Sequence, residues 1–286
     1  MKTFLACLPC LGKNAVEAAE RASGDLEIRR KIVSESLHLL AESDLRVSPP
    51  YLARKIQDIV LKYTDAGDLF LEEKRRSNRL AEKLVSELYL IPEYDPDSFE
   101  SRLRLAIAGN ILDFGIFGDL NIEKALEAVK AAFRKPLDQT AVKRLQERMD
   151  AAGKILYVLD NCGEAVFDRI FMEPYRKKII LGVRGRAVFN DVLESDLADC
   201  GLAGFTAGVV SNGPSGIPGI VLGETGDAFR AAFSSSDLIV AKGQGNFETM
   251  NEYTKPIAFL FLAKCPVVVR EIGAEINSIQ VRTIHF

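Results

Sequence analysis

The 286-residue chain reads as an α/β protein, a Rossmann-like three-layer domain with a mostly parallel sheet plus a helical N-terminal domain. Three observations predict it. Before Gly153 the apolar residues recur at helical spacing. After it, short apolar runs alternate with helical segments, as strands and helices do in a parallel sheet. Acidic or glycine-containing turns follow several of those runs directly, where α/β sheets bind ligands.

Residues 1–152 are therefore expected to form the helical domain. Leu26 to Ala41, Tyr51 to Tyr63, Leu69 to Leu88, Phe99 to Leu112, Ile122 to Phe133 and Thr140 to Ala152 all suit helices, separated by breakers such as Pro49-Pro50, Pro92 through Pro96 and Pro136. The run Glu72-Glu73-Lys74-Arg75-Arg76 reads as a solvated helix face. Asp113-Phe114-Gly115 matches a kinase tripeptide in letters only, since it follows a helix and lacks every companion motif.

Residues 153–286 are expected to form the Rossmann-like, metal-binding domain. Lys154 to Leu159 and Ile179 to Val183 read as buried strands, with further strands near Ala207 to Val210, Gly219 to Leu222, Leu238 to Ala241 and Ile257 to Leu262. The first strand ends in Asp160-Asn161-Cys162-Gly163-Glu164, where Gly163 allows a tight turn into a helix. Asn190-Asp191-Val192 follows the second strand and opens a helix-like segment. Oxygen ligands of this kind suit a hard divalent cation. Helix capping accounts for each of these turns equally well, because Asp and Asn side chains accept from free backbone N–H groups.

Lys242-Gly243-Gln244-Gly245-Asn246 follows a third strand. The glycines let backbone N–H groups approach an anion and Lys242 adds a positive charge. The pair lacks the third glycine of a dinucleotide fingerprint, and no P-loop occurs in the chain. Ser211, at the end of another strand, offers a hydroxyl to the same pocket or closes an ordinary turn.

Taken in chain order, the Asp160, Asn190 and Lys242 segments resemble the DUF89 family of metal-dependent damage-control phosphatases. Cys7-Leu8-Pro9-Cys10 and Lys264-Cys265-Pro266-Val267-Val268 extend the resemblance to its stand-alone prokaryotic and archaeal branch. The resemblance implies that Asp160, Asn161 and Asp191 are ligands of a divalent metal (Mn, Ni, Co or Mg) and that Lys242 contacts the substrate phosphate. It also places Glu164 and Asn246 in the pocket; Gly243 and Ser211, from the residue reading above, are expected as further substrate contacts.

Composition narrows the alternatives. A hydrophobic content of 48%, a net charge of −3 and a mean hydropathy of +0.05 describe a globular chain with no general affinity for nucleic acid or membrane surfaces. The start of the chain is broken by Pro9 before it makes a signal segment, and the late apolar run Pro256 to Ala263 is far below bilayer length, so a cytoplasmic location is expected. Five cysteines are no secreted disulfide framework. Cys162, Cys200 and Cys265 read as core or turn residues. Cys7 and Cys10 have the spacing of half a zinc site, of a redox pair, or of two small residues opening a helix. Two histidines exclude a histidine-rich zinc site, and His38 is expected to be partly buried on a helix.

The expected function is hydrolysis of a small phosphorylated metabolite, a sugar phosphate or a nucleotide-related phosphate, in a pocket between the two domains. The alternative is a nucleotide- or dinucleotide-binding module in which Gly243 and Gly245 serve a cofactor and the acidic residues are caps. Oligomeric state is left open.

Overall fold

The computed structural model describes residues 1–65, 67–112 and 122–286; Asp113-Phe114-Gly115 lies outside them. The chain runs α1 (Leu8–Ala22), α2 (Leu26–Ala41), α3 (Pro49–Tyr63), α4 (Leu71–Ser86), α5 (Phe99–Ala108), α6 (Ile122–Phe133), α7 (Gln139–Ala151), β1 (Ile155–Val158), α8 (Glu164–Met172) and β2 (Ile179–Val183). It continues with β3 (Gly208–Ser211), α9 (Asp227–Ser235), β4 (Leu238–Lys242), α10 (Gln244–Met250), β5 (Ile257–Leu262), α11 (Pro266–Ile272) and β6 (Ile279–Ile284).

Local chemistry sets many of these boundaries. Asp25, Ser98 and Asp138 cap α2, α5 and α7 by accepting from first-turn N–H groups, and proline opens α3 and α11, where its missing N–H costs nothing. The short apolar runs instead form one sheet together with the alternating strand β6, in the order β3-β2-β1-β4-β5-β6, parallel except for β6, which pairs antiparallel with β5. Ile155 lies opposite Ile179 on one side and Leu238 on the other. Every residue of β1, β4 and β5 is buried, as expected for strands covered on both faces.

The main hydrophobic core joins the two sides of the expected 152/153 boundary. Leu103, Leu105 and Met149 share it with Tyr157, Phe171 and Val281, so α4 to α8 cover one sheet face. Phe229, Phe247, Phe259 and Phe261 pack on the other. Helices α1 to α3 hold smaller clusters around Ala15, Leu52 and Ile56 and around Ile32 and Val60.

Four local expectations are corrected. Gly219 to Leu222 is not a strand: Ile220 N donates to Thr249 Oγ1 and Leu222 N to Tyr253 Oη, so α10 and the residues after it satisfy the N–H groups that a ladder would have used. Asn190-Asp191 opens no helix, because Asp191 is held in an isolated β-bridge. Lys74 is buried rather than solvated, since it shares the inward face of α4 with Ser77, Asn78, Ala81 and Leu84 and bonds Asp68 (2.6 Å) and Asp196 (2.9 Å). His38 is exposed, because α2 buries the stripe Ile32, Ser36 and Leu40 instead.

Candidate active site

Strand order reverses between β1 and β4, which opens a crevice at their C-terminal ends. Above it lies a cavity of about 630 Å³, closed by α1 with its N-cap and by α3, through residues such as Cys7, Leu11, Pro50 and Ala53. Asp160, Asn161 and Asp191 all line it.

The backbone brings these three together. Asn161 and Asp191 face each other in an antiparallel bridge, Cys162 N donates to Asn190 O at 2.9 Å, and Val192 N donates to Asp160 O at 2.8 Å. Neither Asp160 nor Asn161 caps α8: the N-cap is Gly163, with no side-chain cap bond. Gly163 has φ +81°, and its N–H donates to Asn78 Oδ1 at 2.6 Å, so the turn is anchored on α4. The capping reading of Asp160, Asn161 and Asp191 therefore fails.

Asp160 Oδ2 accepts from Asn161 Nδ2 at 3.0 Å and from Asn110 Nδ2 at 3.3 Å. Arg184, at the end of β2, is 2% exposed; its Nε donates to Asp191 Oδ2 at 2.6 Å, one terminal nitrogen lies 3.8 Å from Asp160 Oδ1, and it also reaches Asn246 Oδ1. Gly243, with φ +79°, runs so close to Asp160 that a Cβ would overlap its carboxylate.

Lys242 departs from the expected phosphate contact. Its side chain is fully buried beneath the cavity and does not line it. The ammonium donates to Ala106 O at 2.8 Å and pairs with Glu164 and, at 2.9 Å, with Asp168. Burial alone would lower the Lys242 pKa, but Asp168 and Glu164 raise it. Burial pushes Asp168 up to about 7 against the opposing pull of Lys242, and Tyr157 Oη donates to it at 2.8 Å. Glu164 also accepts from Asn110 Nδ2 at 2.8 Å and is closed off from the cavity.

Asn246 likewise lies below the cavity floor, donating to Lys242 O and Leu159 O. Ser211 does not reach the cavity; its Oγ accepts from Gly213 N, which is the ordinary turn.

Sequence reasoning missed four residues at this site. Lys264 follows β5, lines the cavity and donates from Nζ to Asn110 O at 2.7 Å. Arg184 follows β2 in the same way. The rule that found Asp160, a polar residue just past an apolar strand, would have found both. Asn110 and Glu248 carried no comparable signal. Glu248 sits on α10 in the cavity wall, accepts from Gln244 Nε2 at 2.7 Å, and is pushed by burial up to about 7. The cavity also exposes Arg21, whose guanidinium stacks 4.5 Å over Phe70.

The donor set fits a hard divalent cation. Among the described residues no three His, Cys, Asp or Glu side chains are placed to hold a metal, but two carboxylates and the Asn161 amide oxygen share one wall. Asn161 turns its nitrogen toward Asp160, which leaves the oxygen as its donor end. These three residues could hold the ion.

Fold and site together define an α/β protein with an oxygen-donor pocket at the switch point of a parallel sheet. The damage-control phosphatase ARMT1-like domain matches residues 3–279. A damage-control phosphatase of Archaeoglobus fulgidus is 30% identical over 290 residues, covering 99% of this chain and 100% of the relative. One from Pyrococcus horikoshii is 33% identical over 279 residues, covering 95% and 94%. A crystal structure of a DUF89 family protein from Pyrococcus horikoshii superposes with a TM-score of 0.87 at 31% identity, covering 99% of each chain. The chain belongs to the DUF89 family of damage-control phosphatases.

Proposed function

We propose that this phosphatase is divalent-metal-dependent and hydrolyses small phosphorylated metabolites, sugar phosphates or nucleotide-related phosphates. The carrying observation is the Asn161–Asp191 bridge, which closes three oxygen donors onto the wall of a cavity that also holds Lys264. Asp160, Asn161 and Asp191 would hold the cation, which when bound supplies Lewis-acid polarisation of a phosphoryl oxygen.

The protein's own groups do the rest. Lys264 meets the phosphoryl charge as it builds in the transition state, the role first expected of Lys242. Arg184 fixes Asp191 through Oδ2, and Asn110 and Asn161 fix Asp160 through Oδ2. Lys242 acts one layer down by holding Glu164, which in turn holds Asn110. The dinucleotide-binding reading has less to stand on, because the space beside Gly243 is taken by the Asp160 carboxylate rather than open to a phosphate.

The test is phosphate release from an aryl phosphate by chelator-treated protein, with and without Mg, Mn, Co or Ni, for wild type and Asp191→Ala. Release that requires added metal and vanishes in the variant is the expected result. Turnover by the metal-free wild type would overturn the proposal.

A further inference from the structure

The phosphatase reading leaves a group of thiols in the cavity wall without a role. Cys7 is the N-cap residue of α1 and Cys10 is its third residue, with Pro9 between them. N-cap and N3 side chains share one face of a helix start, which is why a capping box can form between them. Cys7 has helical backbone angles (φ −79°, ψ −27°), so the i, i+3 Cα separation is about 5 Å. That lies within the span of roughly 4.4–6.8 Å that a disulfide bridges. The Cys7 side chain makes no cap bond that such a bridge would sacrifice.

Exposure divides the pair. Cys10 is open to solvent, whereas Cys7 is 7% exposed and packed with Leu11 and Leu52; both line the cavity. A third thiol, Cys265, caps α11 and also lines the cavity. Cys162 and Cys200 are buried elsewhere, beside each other. Burial raises the pKa of Cys7 and Cys10, so both rest as thiols.

We propose that Cys7 and Cys10 are a redox-active dithiol that low-molecular-weight disulfides convert to an intramolecular disulfide in the wall of the cavity. Cys10, deprotonated, attacks one sulfur of the small disulfide RSSR. A Cys10–S–S–R bond forms, the RS–SR bond breaks, and the leaving thiolate takes up a proton. Cys7, deprotonated in turn, attacks Cys10 Sγ, closing Cys7–Cys10 and releasing the second RSH. Two protein thiols are oxidised by two electrons and one RSSR is reduced to two RSH. The site is independent of the phosphate ester the enzyme takes.

The test treats the reduced, full-length protein with oxidised glutathione, quenches with acid, alkylates under denaturing conditions and maps the peptides. Alkylatable cysteines are expected to fall from five to three, with the peptide Thr3–Lys13, which carries both cysteines, lighter by two hydrogens. Cys7→Ser should stop at a stable glutathione adduct on Cys10, and Cys265→Ser should oxidise like wild type. Five alkylated cysteines, a persistent adduct on wild-type Cys10, or a cross-link from Thr3–Lys13 to the Cys265 peptide would each overturn the proposal. Because the wild-type mapping decides between these outcomes, a variant that fails to fold leaves the test intact. Loss of metal-dependent turnover bears on the phosphatase reading alone.

Discussion

Arg184 Nε donates to Asp191 Oδ2 at 2.6 Å in a nearly closed environment, which makes a guanidinium the permanent partner of a carboxylate expected to hold a cation. One oxygen of Asp191 is thereby engaged by the guanidinium, so a cation held by Asp191 would share that carboxylate with Arg184. Replacing Arg184 by Met should cost about 3 kcal/mol, because a buried carboxylate loses its charged partner. Thermal denaturation with and without Mn should show a larger stabilisation by the ion in the variant than in wild type. An equal shift in both would mean that the arginine and the ion do not share Asp191.

Gly243→Ala should inactivate the enzyme. The position has φ +79° and ψ 159°, a region essentially confined to glycine that costs a residue with a Cβ about 1–3 kcal/mol, and the new methyl would displace the Asp160 carboxylate. Phosphatase activity is expected to fall at least about 10-fold, since even 1.4 kcal/mol at the transition state gives that factor, while far-ultraviolet circular dichroism stays unchanged. Full activity would show that Asp160 need not sit where it does.

The two lysines should separate cleanly. Lys242→Met leaves Glu164 and Asp168 buried without their cation and should cost about 3–5 kcal/mol of stability, partly recovered by adding Asp168→Asn. Lys264→Ala removes a partly buried cavity residue and should leave the melting temperature nearly unchanged while lowering kcat/KM. The reverse pattern, a stable Lys242 variant lacking activity and an unstable Lys264 variant, would restore the phosphate role to Lys242.

Glu248 should make stability fall as pH rises. Its pKa moves from 4.5 unfolded to about 7 folded, so between those values the native state keeps a proton that the unfolded state has lost. The stabilisation is complete below pH 4.5 and is lost through pH 7, amounting to at most about 3 kcal/mol. Glu248→Gln should therefore gain on wild type as pH increases, read from urea midpoints at pH 4.5 and pH 8. A constant difference would place the folded pKa near its ordinary value.

Much of the sheet could be read directly, because strands buried on both faces leave continuous apolar runs: Ile179 to Val183 and Ile257 to Leu262 match β2 and β5 residue for residue. The acidic turns were legible for a related reason, as Asp160 and Asn161 stand at the abrupt end of such a run. What escaped was whatever depends on a partner distant in sequence. Nothing around Lys74 announces Asp196, and nothing around Lys242 distinguishes a lysine reaching into the cavity from one bent beneath it toward Asp168. Ile220 and Leu222 look like strand residues because their side chains are apolar; only the position of Thr249 and Tyr253 shows that their N–H groups are engaged elsewhere.

The Asn161–Asp191 bridge and the bonds on either side of it run through main-chain atoms, so the address of each donor is written in the backbone and its chemistry in the side chain. The side chain at 161 can be exchanged while the scaffold that presents it persists, whereas any replacement at 191 must still answer the buried Arg184 guanidinium. A single exchange at 161 can thus change the chemistry that the pocket presents without changing its backbone, and shape alone would not separate a working member from a lapsed one.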